Sequence, residues 1–375
     1  MRVLIDYRPA LRERTGVGEY THELVKALAA TRDDGALDLT IFSSSWRDRL
    51  VIDEPGFQGV RSLDRRVPVR LLNLLWHRVG WPPAETLLGR TFDVTHSPHP
   101  LLLPSRAAAQ VITIHDLSFL DRPDESRTDV RRDYPSLVHA HAARADRIVV
   151  SSRYAAGEVA ARLGVAPAKI AWCPPGAPAW PPRPDTPSSG YILFMGTIEP
   201  RKNVGVLLDA YEQLLTRRAA GLPELVLAGK ATPAARPWLD RLERPPLRGV
   251  VRHLGYVESD RRRSLYAGAR LLVLPSLDEG FGLPVLEAMA TGVPVVAANR
   301  GALPEVVGTA GLLIDPGNPS DLAAAIEKLL IDAPFASECA SKGLARAHEF
   351  EWATTAERMC DVYRAAIEHR RCASV

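Results

Sequence analysis

Residues 271–296 read LLVLPSLDEGFGLPVLEAMATGVPVV, and this stretch decides the fold class. An apolar run ends at Ser276, a glycine-containing loop carries Glu279, and a helical pattern follows. Pro284 suits the first turn of that helix and Gly292 suits its end. A second apolar run then begins. Continuous apolar strands joined through a helix indicate parallel strands that are covered on both faces.

The same alternation runs along the whole chain and is interrupted once. The segment PPGAPAWPPRPDTPSSG at 174–190 has too many prolines for a helix or a central strand, so we predict an interdomain linker there. We therefore expect an α/β protein with two doubly wound, Rossmann-like domains, residues 1–180 and 190–350, facing a central cleft. Helical spacing over 352–371 predicts a last helix, which could dock onto either domain, including back onto the N-terminal one.

Composition excludes several classes of protein. The chain of 375 residues is 46% hydrophobic and 24% charged, as in a globular protein, and its net charge of +3 argues against a dedicated nucleic-acid binder. Its four cysteines form no C-x-x-C pair, which favours free thiols in a reducing compartment. The start, MRVLIDYRP, lacks a signal-peptide pattern, and no window approaches the roughly 18 apolar residues of a membrane span. We expect a cytoplasmic protein.

Two loops of the N-terminal half carry candidate ligand-binding residues. Gly16 and Gly18 stand before a helix predicted from Glu19 to Ala30, where glycines let backbone amides approach an anion. A plain tight turn explains these glycines equally well. His115 follows the apolar run VITI and so lies at the ligand-facing end of a predicted strand. A histidine that merely packs in the core is the alternative.

Two loops of the C-terminal half carry charge. Arg201 and Lys202 lie between a strand that ends at Gly196 and the next helix. Cations oppose the helix dipole there, and a bound diphosphate would offset both of them. Glu279 lies in the glycine loop and Glu287 early in the following helix, where each can accept hydrogen bonds from ligand hydroxyls. Ordinary surface charges are the alternative for both pairs.

The loops together resemble those of a known family. EGFGLPVLE at 279–287 is similar to the E-x7-E motif of the retaining glycosyltransferases of family 4, which have the GT-B fold. Other segments also resemble the family and follow its order: GTIEPRKN at 196–203, TGVGEYTHEL at 15–24, IHDLSF at 114–119 and FEWATTAERMCDVYR at 350–364. The likeness covers nearly the whole chain.

This resemblance implies a retaining hexosyltransferase whose substrate is a nucleotide-diphosphate sugar and which needs no cofactor. Arg201 and Lys202 would neutralise the leaving diphosphate, and Glu287 would hold the ribose hydroxyls. His115 would lie near the reacting centre. Members of this family usually need no metal, and the sequence contains no Asp-x-Asp motif.

The resemblance also implies how the donor is enclosed. Gly16 and Gly18 would close over the diphosphate. The donor sugar would be held by Glu279 together with the backbone amides of the four residues that follow it, which are Gly280, Phe281, Gly282 and Leu283. Catalysis would then depend on His115, Glu279, Arg201 and Lys202.

The amino-acid sequence of the segment at 196–203 is most similar to the corresponding segment of bacterial mannosyltransferases of polysaccharide assembly. We therefore expect GDP-mannose as the donor, with UDP-glucose and UDP-N-acetylglucosamine as alternatives. The expected acceptor is a glycan or a lipid-linked molecule, in polysaccharide or glycolipid biosynthesis. A nucleotide-sugar epimerase of similar double fold and a non-catalytic carbohydrate-binding relative are the competing functions.

The segment VRSLDRRVPVRLLNLLWHRVGWPP at 60–83 is basic and apolar. A basic amphipathic helix with tryptophans can lie on an anionic bilayer, which would suit a lipid-linked acceptor. Peripheral contact with the inner face of the membrane through this segment is one interpretation, and it is not the one that the sequence favours. A helix that packs in the core with solvated arginines is the alternative.

Overall fold

The structure, a computed structural model, divides the chain into two compact units. Unit 1 comprises residues 1–176 and 351–375, and unit 2 comprises residues 177–350. The residues that the structure describes are 1–11, 14–31, 37–46, 48–50, 54–121, 134–187, 189–217 and 221–373.

Each unit contains a sheet in which all the described strand pairings are parallel. The sheet of unit 1 has the strands β1 (Arg2–Asp6), β2 (Asp38–Ser44), β3 (Arg61–Arg65), β4 (Val94–Ser97), β5 (Ala109–Ile114), β6 (Arg147–Val150) and β7 (Ile170–Trp172). The sheet of unit 2 has the strands β8 (Tyr191–Met195), β9 (Leu225–Ala228), β10 (Val251–Gly255), β11 (Ala269–Leu274), β12 (Val295–Ala298) and β13 (Leu312–Ile314).

Helices connect the strands of both units. The helices up to the linker are α1 (Gly16–Ala30), α2 (Val69–Leu74), α3 (Ala84–Leu88), α4 (Ser118–Asp121), α5 (Tyr134–Arg144) and α6 (Arg153–Leu163). The helices beyond it are α7 (Val204–Arg217), α8 (Arg236–Leu242), α9 (Ser259–Gly268), α10 (Leu283–Ala290), α11 (Leu303–Val307), α12 (Pro319–Ile331), α13 (Ala333–Ala347) and α14 (Trp352–Ala373).

The strand order puts a switch point in the middle of each sheet. Unit 1 has the order β3-β2-β1-β4-β5-β6-β7, and unit 2 has the order β10-β9-β8-β11-β12-β13. The chain therefore leaves β1 and β4 toward opposite edges of the first sheet, and it leaves β8 and β11 toward opposite edges of the second. Doubly wound sheets bind ligands outside the carboxyl ends of the strands at such a point. The predicted doubly wound, Rossmann-like architecture is confirmed for both units.

Helix α14 returns to unit 1, where it packs against α1 and against strands β4, β5 and β6. Its buried side chains recur every three or four residues, and they are Thr355, Ala356, Met359, Val362, Tyr363 and Ala366. This stripe completes the core on one face of the sheet, as the helical period requires.

Two local predictions are wrong. Gly16 and Gly18 do not precede the first helix, because α1 begins at Gly16 and includes both glycines in its first turn. The segment 60–83 is not one amphipathic helix, because β3 occupies Arg61–Arg65 and extends the sheet beside β2. Only the part from Val69 to Val79 is helical, first as α2 and then as a wider turn. Pairing with a neighbouring strand outweighs the local helical pattern in the first part.

A buried polar network ties α14 to the sheet. The two ring nitrogens of His96 lie 2.8 Å from the Tyr363 hydroxyl and 2.8 Å from the Thr113 hydroxyl. All three residues are buried. Burial lowers the pKa of His96 to about 3, so the ring is neutral near pH 7.

We predict that His96 makes the free energy of unfolding fall in acid. Between about pH 6.5, the ordinary histidine pKa, and about pH 3, the unfolded chain binds a proton at this residue that the folded chain does not, so stability decreases as the pH falls. The slope from one such group approaches about 1.4 kcal/mol per pH unit. Urea unfolding between pH 7 and pH 5 should show a shallower slope for His96→Gln than for the wild type. The matched control is His139→Gln on the exposed face of α5, and equal slopes for all three proteins would contradict the prediction.

Candidate active site

The carboxyl end of β8 is shaped by a close approach of two backbones. Gly229, at the end of β9, has a φ of +142°, and a Cβ built on it would lie 1.9 Å from the carbonyl oxygen of Gly196. Only glycine fits there. The chain then forms a short 3-10 turn at Pro200–Lys202, and Asn203 follows it in the left-handed region with a φ of 57°.

Asn203 fixes this turn against the ends of neighbouring strands. Its side-chain amide donates to the carbonyl oxygen of Pro275, at 3.1 Å, and to that of Pro316, at 2.8 Å. The backbone amide of Leu277 also donates to the carbonyl oxygen of Arg201, at 2.9 Å. The loops after β8 and β11, which flank the switch point of unit 2, are therefore held together as one surface.

Arg201, Lys202 and Glu279 form an ion cluster on this surface, in which Lys202 and Glu279 are buried and Arg201 is partly buried. Lys202 Nζ lies 2.5 Å from Glu279 Oε1, and Arg201 Nη1 lies 3.3 Å from Glu279 Oε2. The Ser276 hydroxyl donates to Glu279 Oε1 at 2.7 Å, and Arg201 Nη2 pairs with Glu199 Oε1 at 2.9 Å. The carboxylate of Glu279 is only 7% exposed. Burial by itself would raise its pKa, but the charges of Lys202 and Arg201 outweigh burial, and the pKa lies below its ordinary value.

The glycine loop after Glu279 leads directly into α10. Gly282 caps the helix with a φ of +104°, and a Cβ there would meet the Leu303 side chain at 2.7 Å. Gly280 and Phe281 precede this cap, Leu283 begins the helix, and the Phe281 ring packs edge-on against Phe350. The loop is thus a tight turn between β11 and α10, held from behind by apolar side chains.

Glu287 is a buried acid on α10, where its neighbours on the helix are apolar. The Tyr266 hydroxyl donates to Glu287 Oε2 at 2.7 Å, and Arg262 Nη1 lies 3.2 Å from Glu287 Oε1. Both partners come from α9. Unit 2 therefore brings Arg201, Lys202 and Glu279 into one cluster, and Glu287 lies on the helix that follows the glycine loop, with partners of its own.

The predicted residues of unit 1 have different surroundings. Gly16 is exposed, and a Cβ on it would meet no atom within 4 Å, whereas a Cβ on Gly18 would lie 2.6 Å from the Pro9 carbonyl oxygen. Close packing of α1 on the preceding turn therefore explains Gly18. It does not explain Gly16.

His115 follows β5, and its ring packs edge-on against Tyr20 with 4.7 Å between the ring centroids. Its Nε2 atom is buried and has no hydrogen-bond partner within the described parts of the chain. Burial lowers the pKa of His115 to about 4, although Asp116 and a hydrogen bond to the Pro98 backbone oppose this shift. The imidazole is therefore neutral near pH 7.

The sequence analysis missed a second charged cluster, at the switch point of unit 1. Asp6, which ends β1, is fully buried and binds the Arg8 guanidinium through both carboxylate oxygens, with its shortest contact, Oδ2 to Nη2, at 2.6 Å. His99 Nε2, beyond β4, lies 3.2 Å from Asp6 Oδ2, and Arg8 Nη1 donates to Asn73 Oδ1 at 2.8 Å. Arg8 and His99 hold the pKa of Asp6 well below its usual range despite burial. A carboxylate at the end of the first strand with an arginine two residues later was the available signal.

A two-domain Rossmann-like fold with charged and glycine-rich loops at a switch point is the architecture of the GT-B class of glycosyltransferases, and the comparisons with known proteins place the chain in that class. Residues 14–179 match the family model described as Glycosyltransferase Family 4, and residues 189–332 match the model described as Glycosyl transferases group 1. The chain is 33% identical to the O-antigen chain mannosyltransferase B of Escherichia coli over 388 aligned residues, which cover 97% of this chain and 100% of that protein.

Two further likenesses agree with this one. The D-inositol 3-phosphate glycosyltransferase 2 of Catenulispora acidiphila is 34% identical over 247 residues, 60% of this chain and 58% of that protein. The fold is similar to that of a sucrose-phosphate synthase from Thermosynechococcus elongatus, with a TM-score of 0.79 and 21% identity over 97% of this chain and 98% of that one. The chain belongs to glycosyltransferase family 4, and it is a transferase with the GT-B fold.

We predict strong coupling between Lys202 and Glu279 in the free energy of unfolding. Lys202→Met should lower stability by about 3 kcal/mol, because it leaves a buried carboxylate without its nearest cation. Adding Glu279→Gln should restore part of that loss, because the buried side chain at position 279 is then neutral and no longer needs a cation beside it. Urea unfolding of both single variants and the double variant gives the coupling energy.

The matched control is the exposed pair Arg236–Asp240 on α8, for which about 0.3–0.5 kcal/mol is expected. Additive effects for Lys202 and Glu279 would contradict the buried pair.

Proposed function

We propose that the chain is a retaining hexosyltransferase that moves a sugar from a nucleotide-diphosphate donor, GDP-mannose, to a glycan or lipid-linked acceptor in polysaccharide or glycolipid assembly. The observation that carries this proposal is the pair formed by the partly buried Arg201 and the buried Lys202 at the switch point of unit 2. The likeness to a protein named as an O-antigen chain mannosyltransferase supports mannose as the sugar.

The proposed role of the two cations follows from charge. Departure of a nucleoside diphosphate develops negative charge on its phosphate oxygens, and fixed cations in a partly dry site stabilise that charge. Arg201 can grip two phosphate oxygens in fork geometry, whereas Lys202 acts as a point charge. In the free protein Glu279 and Glu199 balance these cations, so the donor phosphates would take the place of carboxylate contacts.

The other proposed contacts use hydroxyl groups. Glu279 Oε2 has a contact to Arg201 at 3.3 Å, and a carboxylate oxygen carries two lone pairs, so the proposal assigns it a hydroxyl of the donor sugar. The amides of Gly280, Phe281, Gly282 and Leu283 would assist. Glu287 would accept from the ribose hydroxyls.

The proposal assigns the acceptor and the reacting centre to unit 1. The acceptor would lie at the carboxyl ends of β1 and β4, with His115 nearby as a neutral ring. Gly16, exposed at the start of α1, would approach the diphosphate together with Gly18.

The proposed chemistry retains the anomeric configuration. The bond between the anomeric carbon and the diphosphate oxygen breaks, and its electron pair stays with the diphosphate. The acceptor oxygen bonds to the same face of that carbon, and its proton passes to the leaving phosphate. No protein nucleophile and no metal ion takes part in this scheme.

A surface of unit 1 supports the proposed contact with a membrane. Five large apolar side chains between 69 and 81 are more than a third exposed, and they are Val69, Leu71, Leu74, Val79 and Trp81. Arg66, just before this segment, and Arg70 and Arg78 within it are also exposed. Leu72 and Trp76 are buried, so this segment is anchored on one side and apolar and cationic on the other. No described helix is both long enough and apolar enough to cross a bilayer.

We predict that a nucleoside diphosphate stabilises the folded protein. Thermal unfolding with GDP, UDP, ADP and dTDP should show the largest increase in Tm with GDP, because only the folded state binds the ligand. At about 100 times the dissociation constant, the gain is about 2.7 kcal/mol. Lys202→Met should lose most of this increase. No change with any of the four nucleotides would contradict the donor proposal, and conversion of GDP-mannose to another nucleotide sugar without an acceptor would indicate an epimerase.

We predict that the exposed arginines bind anionic lipid. The triple variant Arg66→Gln, Arg70→Gln, Arg78→Gln should co-sediment about a hundredfold less with phosphatidylglycerol vesicles, since each arginine contributes about 1 kcal/mol at such a surface. Arg65 is left unchanged because its guanidinium donates to the backbone of Leu87 and Leu88. The matched control makes the same change of charge in unit 2, at Arg236, Arg252 and Arg261. Equal co-sedimentation of both triple variants with the vesicles would contradict the membrane proposal.

A further inference from the structure

Tyr266 is a fully buried tyrosine on α9 whose hydroxyl is directed at a carboxylate. Its hydroxyl oxygen lies 2.7 Å from Glu287 Oε2, and its exposed fraction is 0%. The Trp180 ring packs against it with 6.0 Å between the ring centroids. Burial, followed by the negative charge of Glu287, raises the pKa of Tyr266 well above its ordinary value, so the hydroxyl stays protonated and donates.

Arg262 lies one helical turn before Tyr266 and contacts the other oxygen of the same carboxylate. Its Nη1 lies 3.2 Å from Glu287 Oε1, and its side chain is 12% exposed. The adjacent residues Arg261 and Arg263 are exposed. Spacing of four residues puts Tyr266 and Arg262 on the same face of α9. One face of this helix therefore supplies a donor to each oxygen of Glu287.

Contacts to both oxygens fix the plane of the carboxylate as well as its position. The terminal torsion of a glutamate is otherwise broad. A ligand with two adjacent hydroxyls needs two acceptors at a defined spacing and orientation, so a carboxylate held in one plane binds it better than a rotating one. A bond from Tyr266 is compatible with a further bond from a ligand hydroxyl, because each carboxylate oxygen has two lone pairs.

We infer that Tyr266 and Arg262 are positioning residues for nucleotide recognition: they orient the Glu287 carboxylate so that it accepts from the two vicinal ribose hydroxyls of the donor. This inference rests on the proposed function, in which Glu287 holds the ribose. It adds α9 to the nucleotide site and makes the ribose specificity of the enzyme depend on two residues that do not themselves contact the hydroxyls.

The alternative is a structural role, in which Tyr266 only satisfies a buried acid. The two roles differ in what they do to ligand discrimination. If the role is structural, removing the hydroxyl lowers the stability of the fold and weakens the binding of all nucleotides alike. If the role is positioning, removing the hydroxyl weakens the binding of the ribonucleotide specifically, because a 2′-deoxyribonucleotide lacks one of the hydroxyls that the oriented carboxylate recognises.

The test is calorimetric titration with GDP and with 2′-deoxy-GDP. The wild type should bind GDP at least tenfold more tightly than 2′-deoxy-GDP, and Glu287→Gln should remove most of that ratio. Tyr266→Phe should reduce the ratio at least threefold. The matched control is Tyr211→Phe, which removes another buried hydroxyl of unit 2, one that donates to the Pro223 carbonyl at 2.9 Å, and it should keep the wild-type ratio.

Arg262→Gln provides a second variant that does not depend on how Tyr266→Phe folds, with exposed Arg261→Gln as its control. It should also reduce the ratio. A ratio that Glu287→Gln abolishes but both Tyr266→Phe and Arg262→Gln retain overturns this inference and leaves the ribose assignment intact. A wild type that binds GDP and 2′-deoxy-GDP equally overturns the ribose assignment and the inference together.

Discussion

The buried contact between Lys202 and Glu279 is the interaction on which the proposed site depends. Removing two charges from water is costly, and the attraction between them offsets that cost only with good geometry and further hydrogen bonds. The structure supplies both, through the 2.5 Å contact, the Ser276 hydroxyl and the second cation, Arg201. Apolar side chains of similar volume would often stabilise a fold at least as much as a buried ion pair does. Stability alone therefore does not explain this cluster, and the proposed binding of a diphosphate would account for the two cations held there.

Topology explains why these residues meet although they are far apart in the chain. The strands β8 and β11 are neighbours in the sheet, so the loops that follow them share one edge. Gly229 lets the backbone after β9 approach Gly196, and Asn203 ties the turn to Pro275 and Pro316. Unit 1 repeats the arrangement with Asp6 at the end of β1, Arg8 just after it and His99 after β4. Each sheet thus carries an organised charge cluster at its own switch point.

Much of the fold was predictable because parallel strands buried on both faces leave a strong local signal. Apolar runs such as LLVL and VITI coincide with β11 and β5, and the proline-rich linker contains no strand or helix in its described residues. Local pattern failed where tertiary contacts decide. The arginines of 61–65 belong to a strand because β2 offers a pairing edge, and α1 starts at Gly16 despite two glycines, since Gly18 permits close packing on Pro9.

The candidate site was predictable in its residue types but not in its pairings. Glu279, Glu287, Arg201 and Lys202 stand in recognisable loops. The residues that pair with them are not in recognisable loops. Tyr266 and Arg262 contact Glu287 from a helix that carries no special motif, and no sequence rule predicts that contact. Asp6 was missed because the apolar run of β1 conceals a buried acid at its end.

The most direct test of the central claim is a crystal structure of the protein with the nucleoside diphosphate that binds it most tightly. Phosphate oxygens should lie within hydrogen-bond distance of both the Arg201 guanidinium and the Lys202 ammonium. A diphosphate bound elsewhere, with the contact between Lys202 and Glu279 unchanged and no phosphate near either cation, would contradict it.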